Sequence, residues 1–254
     1  MDIENKITAQ KDVFLTEQLI LQAKKDIRRQ IKAKLNLRKN ISGLNESDSK
    51  KACSLLSDSE IYKKANMILA YMPMPEEVDI TPIIKNALIL GKYVAVPRII
   101  NGTNDMDFYL LENSASGEES DIKEFENQLE RGVFGIREPK EYLKKLSISD
   151  IRKISYEKGC LILVPALAFE HSGARLGRGK GFYDKFLFNL KASGIISCGV
   201  CFNFQILESV PTESSDFSVD YILTEKYLHA CKNRPLFDKS TTSPQSSEVV
   251  VLIR

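Results

Sequence analysis

The sequence has two histidines in 254 residues, His171 and His229, and no apolar run approaching the roughly 20 residues that a membrane span requires. The first shortage leaves little for a histidine-based metal centre, and the second excludes a spanning helix. Residues 1–10, MDIENKITAQ, carry neither the basic n-region nor the apolar h-region of a secretory signal, so a soluble, cytoplasmic protein is expected. Neither sign of charge prevails. With 36 basic and 34 acidic residues the formal net charge is +2, so no global field commits the chain to nucleic acid or an anionic membrane. Any anion site must be local. The five cysteines, at 53, 160, 198, 201 and 231, are odd in number and scattered, which suits free thiols better than a disulfide framework. Cys198 and Cys201 have the spacing of half a zinc site or a redox pair, yet no second Cys-x-x-Cys exists and both lie in the apolar run IISCGVCF. They read as small apolar residues of a buried strand.

What is present is enough apolar residue, 43%, to bury a sizeable core. Residues 15–40 have a helical pattern, with Ile20, Ile27, Ile31 and Leu35 on one stripe. Strand-like runs follow at 66–72, 92–97, 105–111, 160–164, 195–201 and 219–223. Between them lie helix-length stretches such as 81–90, where Thr81 is the expected N-cap and Pro82 the first helical residue. Near-continuous apolar strands alternating with helices predict an α/β fold whose largely parallel sheet is covered by helices on both faces. Residues 112–130 hold seven acids and one lysine and are expected to be a solvated surface excursion. Beyond about Cys231 the Ser/Thr/Pro-rich sequence reads as a flexible tail, although the terminal VVVLI has the composition of an edge strand.

The stretch RLGRGKGFYDKFL, residues 175–187, places glycines at 177, 179 and 181 beside Arg175, Arg178 and Lys180. It is not a Walker loop, because Gly181 follows Lys180 where Ser or Thr is required, and Phe182 breaks a dinucleotide G-x-G-x-x-G. The chemistry still suits polyphosphate. Bare backbone lets N–H groups converge on an anion, the three cations add charge-assisted donors, and helix-forming residues from Phe182 supply a helix N-terminus. Asp184 lies in that first turn, where it can hold Mg²⁺ against the phosphates.

Residues 164–187, VPALAFEHSGARLGRGKGFYDKFL, closely resemble the signature of the 5-formyltetrahydrofolate cyclo-ligase family, also called methenyltetrahydrofolate synthetases, whose core reads roughly RLGxGxGYYD. Further matches follow in the family's order: KKDIRRQIKAKL from Lys24, MPMPEEVDI from Met72, VPRI from Val96, DMDFYLL from Asp105 and VPTESSDFSVDYILTE from Val210. Phe182 stands where the family usually has tyrosine, which removes a hydroxyl.

The resemblance implies a single-domain, Rossmann-like, three-layer enzyme over residues 24–230, between an N-terminal extension (1–23) and the tail (231–254). It implies ATP-driven, Mg²⁺-dependent ring closure of 5-formyltetrahydrofolate. ATP would meet Lys24, Lys25, Asp26, Ile27 and Arg28, and the run Arg175, Leu176, Gly177, Arg178, Gly179, Lys180, Gly181, Phe182 and Tyr183. The folate would meet Met72, Glu77, Arg178, Gly179, Lys180, Gly181, Phe182 and Tyr183. Arg178 and Lys180 would serve catalysis, and Asp184 and Asp216 the metal. The expected partners are small molecules, without nucleic acid or membrane, and the expected state is a monomer. Two other readings stay open on the residues alone. The basic helix 24–39 also suits a nucleic-acid or acidic-partner module, and the glycine loop suits a phosphotransferase for another carbonyl substrate.

Overall fold

The computed structural model describes residues 3–113, 125–132, 135–190, 194–213 and 215–231, with side chains from Leu15 onward. In chain order the elements are α1 (Ile3–Lys39), α2 (Leu44–Ser57), α3 (Glu60–Lys64), β1 (Met67–Leu69), α4 (Thr81–Ile89), β2 (Tyr93–Ile99), β3 (Met106–Leu110), β4 (Leu129–Arg131), β5 (Arg137–Pro139), β6 (Lys144–Leu146), α5 (Ile148–Lys158), β7 (Cys160–Pro165), β8 (Ala168–Glu170), β9 (Arg175–Leu176), α6 (Phe182–Asn189), β10 (Ile196–Val200), β11 (Ile206–Leu207), β12 (Tyr221–Leu223) and β13 (Leu228–Ala230).

Eight strands form one sheet in the order β13-β12-β10-β7-β1-β2-β3-β6. The five from β12 to β2 are parallel, and β13, β3 and β6 add antiparallel edges. The expected α/β class is therefore the observed one. Side-chain alternation divides the apolar strands between two buried faces. Ile68, Leu161, Leu163, Val94 and Val96 join a core with Ile31, Leu35, Leu56 and Ile83 of the first four helices. Met67, Leu69, Ile162 and Val164 join another with Ile151 of α5 and Phe186 and Leu187 of α6. Each face buries its own apolar set, which is why these strands read as near-continuous apolar runs. Cys198 lies within β10 and Cys201 just beyond it, and all five cysteines are free and buried.

Local chemistry sets several boundaries. Ser147 and Asp150 close a reciprocal capping box on α5, and Gly159 ends that helix at φ 74°. The expected Thr81 cap is corrected. Ile80 flanks α4 without a side-chain bond, Pro82 lies in the first turn, and Asp79 Oδ1 accepts the Thr81 N–H at 2.9 Å, so the carboxylate two residues earlier does the work assigned to the threonine. The helix expected from Leu15 begins at Ile3.

The acidic stretch differs from expectation at its base. Residues 114–124 lie outside the described residues, but Phe125, Gln128 and Leu129 are buried. Gln128 accepts the Glu112 N–H at 2.7 Å and donates to the Glu112 carbonyl at 3.0 Å, tying the two ends together. Burial of an aromatic ring outweighs the local charge count there. The tail from residue 232 also lies outside the described residues.

Candidate active site

Strand order reverses between β1 and β7: from β1 the chain moves to β2 on one side and later returns to β7 on the other. In open α/β sheets ligands collect beyond the carboxyl ends of the strands at such a switch point. A cavity of about 360 Å³ lies there, lined by Tyr71 and Met72 after β1, Pro97 and Ile99 of β2, and Pro165 at the end of β7. Facing them are the glycine loop and the first turn of α6, with Gly177, Arg178, Lys180, Gly181, Phe182, Tyr183 and Asp184, and Glu77, Glu138 and Lys32 complete the wall with apolar neighbours.

The glycines of that loop play unequal parts. Gly179 and Gly181 have φ of 97° and 74°, a region that disfavours a Cβ, whereas Gly177 does not. At Gly177 an added Cβ would stand 3.3 Å from the Arg175 guanidinium, so the residue leaves room rather than making a turn. Gly181 is also the N-cap of α6, which makes no side-chain cap bond to the first-turn amides among the described residues. The open amides and helix dipole favour an anion.

The three cations are placed differently. Arg175 is 2% exposed and pairs with Asp184, so it braces the wall rather than facing solvent; burial pulls its pKa below the usual guanidinium value, although Asp184 opposes this. Arg178 donates to Glu77 Oε1 from Nη2 at 2.9 Å and Nε at 3.2 Å. Lys180 is exposed at the cavity and has no protein partner among the described residues. Burial raises the pKa of Glu77, which outweighs the opposing effects of Arg178 and the Met74 N–H. The Tyr183 hydroxyl is buried without a hydrogen bond among the described residues, and burial with Glu77 nearby raises its pKa.

Helix α1 enters the site along one edge. Lys24 donates to Asp216 at 2.6 Å and Glu213 at 2.9 Å, and these bonds outweigh its desolvation and raise its pKa. Arg28 Nε donates to the Gly177 carbonyl at 3.0 Å. Lys25, Arg28, Arg29 and Lys32 line a basic recess of about 480 Å³, and Lys32 also reaches the main cavity. Asp26 instead faces its own helix, accepting from Gln22 and pairing with Arg29, while Ile27 and Leu176 pack into the core.

The residues fit a hard cation. Asp184 commits Oδ1 to Arg175 and the Phe217 N–H, and Asp216 commits Oδ2 to Lys24 and the Glu213 N–H. Among the described residues Asp184 Oδ2 and Asp216 Oδ1 have no partner. Among the described residues no group of three or more His, Cys, Asp or Glu side chains forms a metal cluster, and of these two carboxylates only Asp184 lines the cavity, so a Mg²⁺ here would take its other ligands from phosphate and water.

Residues 20–225 match the model of the 5-formyltetrahydrofolate cyclo-ligase family. The chain belongs to that family. Membership makes it a ligase. It is 28% identical over 212 residues to 5-formyltetrahydrofolate cyclo-ligase of Mus musculus, covering 80% of this chain and 94% of the mouse protein. Against the Mycolicibacterium smegmatis enzyme of the same name it is 31% identical over 163 residues, 63% of this chain and 73% of that one. The solved structure of Aquifex aeolicus 5,10-methenyltetrahydrofolate synthetase superimposes with a TM-score of 0.63 at 28% identity, covering 86% of this chain and 97% of that one.

The family member's fold thus gathers Met72, Glu77, Arg178, Lys180, Phe182 and Tyr183 at one cavity and joins α1 to the glycine loop through Arg28. Sequence reasoning missed Lys32, Glu76 and Glu138. Lys32 had a signal, lying one turn from Arg28 on the same stripe. Glu138 had none, because its place in the cavity wall depends on where β5 packs.

Proposed function

We propose that the chain closes 5-formyltetrahydrofolate to 5,10-methenyltetrahydrofolate, using ATP with Mg²⁺ and releasing ADP and phosphate. The observation that carries this reading is the cavity where Met72 and Glu77 face the glycine loop. A largely covered carboxylate beside an apolar side chain suits a flat heterocycle with a donor edge, and the loop suits phosphate. Residues 24–230 would form the catalytic domain of a cytoplasmic monomer that acts on small molecules.

The N5-formyl group is an amide, and direct attack by N10 would have to expel a poor oxygen leaving group. The formyl oxygen instead attacks the γ-phosphorus while the bond to ADP breaks. N10 then attacks the formyl carbon, phosphate departs with its oxygen, and N10 loses its proton to solvent. Such chemistry asks the protein chiefly for positioning and charge neutralisation. Glu77 accepts hydrogen bonds from the 2-amino-pyrimidinone edge, and Met72 covers a ring face. Arg178 stands between the two substrates, where its fork follows charge moving from ADP to the formyl oxygen. Lys180 is free to follow the phosphate, and the loop and α6 amides hold the phosphate chain. Asp184 and Asp216 would hold Mg²⁺, whose contribution is to neutralise phosphate charge.

Mixing the protein with 5-formyltetrahydrofolate and Mg-ATP should produce the absorbance of the methenyl product, with loss of signal when either ATP or Mg²⁺ is omitted. Saturable ATP hydrolysis without that absorbance would reject the folate reading. A steep salt dependence of RNA binding in its place would favour the nucleic-acid module.

A further inference from the structure

Arg178 is held by two carboxylates, not one. Its Nη2 lies 2.9 Å from Glu77 Oε1 and 3.1 Å from Glu76 Oε1. Glu76 in turn meets Lys39, the last residue of α1, through Oε2 at 3.2 Å. The two glutamates differ in what they face. Glu77 lines the cavity, and Glu76 lines neither that cavity nor the neighbouring one that Glu77 shares with Met72 and Met74. Glu76 therefore reaches the site through Arg178.

This difference matters once the cyclo-ligase reading, on which the inference rests, is accepted. The pterin needs the lone pairs of Glu77, but Oε2 already accepts the Met74 N–H and Oε1 takes both Arg178 donors. A heterocycle docking on Glu77 must loosen Arg178 from it. We propose that Glu76 is the positioning residue for Arg178, keeping the guanidinium at the meeting point of the two substrates when Glu77 turns to the pterin, with Lys39 fixing Glu76 to the end of α1. The pairing with Lys39 and Arg178 keeps Glu76 ionised: burial acts against its charge, yet the backbone bond and the two cations hold its pKa below the ordinary value.

A double-mutant cycle on kcat tests this. Glu76→Gln should lower kcat roughly ten- to hundredfold, the scale of a misplaced reacting group, with little change in KM for ATP or folate. In an Arg178→Ala background the same change should cost kcat little further, because the influence that remains, the charge of Glu76 acting on Glu77, bears on folate binding and so on KM. Lys39→Met should repeat the pattern more weakly, and it carries the cycle if Glu76→Gln fails to fold by thermal melting. Equal losses with and without Arg178, or a loss confined to KM, would overturn the role of Glu76. An inactive wild type would reject the cyclo-ligase reading, and this role with it.

Discussion

Glu77 is the residue whose environment most constrains the chemistry proposed for it. Partly buried, with 10% of its side chain exposed, it has a pKa above the ordinary carboxylate value of 4.5. Only the ionised form accepts hydrogen bonds through both oxygens. As pH falls through the raised pKa, Glu77 gains a proton and loses acceptor capacity, so kcat/KM for the folate should show an acid limb lying above pH 4.5. Glu77→Gln should abolish that limb and raise the folate KM far more than the ATP KM. A limb unchanged by the substitution would assign the titration elsewhere. The pair Glu77–Arg178 was half legible. The sequence placed both residues in one site, through the family resemblance, but nothing local announces a contact across 101 positions.

At the scale of the element, α1 is the organiser. Lys24, Arg28, Lys32 and Lys39 fall within an arc of about 80° on a helix of 3.6 residues per turn. They reach, in order, the Asp216 segment, the glycine loop, the cavity rim and Glu76. The apolar stripe was readable, and Ile31 and Leu35 are buried as it requires. Of the basic stripe beside it, the resemblance assigned Lys24 and Arg28 to the nucleotide, whereas Lys32 and Lys39 were visible only as charge, since their meaning depends on which loops pack against them. The helix is anchored to α2 by Arg38, which pairs with Asp48, a carboxylate that Lys51 also meets at 3.0 Å. Burial opposes the Asp48 charge, but both hydrogen bonds and both cations outweigh it and lower its pKa. A depressed carboxylate contributes stability that is present above its unfolded pKa, near 3.8, and is lost as pH falls through the lower folded value. Asp48→Asn should accordingly lower the unfolding free energy at pH 7 by about 2 kcal/mol. The difference from wild type should shrink below pH 3.8 in denaturant titrations. A gap that persists there would mean that packing, not charge, sets the cost.

For the whole molecule, the sheet and its layers were the most legible part. The strands at 66–72, 92–97, 160–164 and 195–201 announce themselves because both their faces are buried and little competes with the apolar signal. Short edges such as β6 and β13 were missed, since three residues with one buried face give almost no pattern. Phe125 and Leu129 were missed for another reason: the surrounding acids hid two core residues. The two cores that these layers enclose also bury every cysteine. Burial raises the thiols of Cys53 and Cys231 to about 12 and pushes those of Cys160, Cys198 and Cys201 well up too. Such groups are almost entirely thiol at neutral pH and are shielded from reagents. The five sulfurs therefore make a built-in clock for opening of the fold. Alkylation in native buffer should proceed at the rate of the exposed thiol multiplied by the fraction of molecules that are open, and Mg-ATP with folate should slow it by the factor their binding adds to stability. Fast labelling of one cysteine, indifferent to ligands, would instead mark a stretch that opens locally while the rest of the chain stays closed.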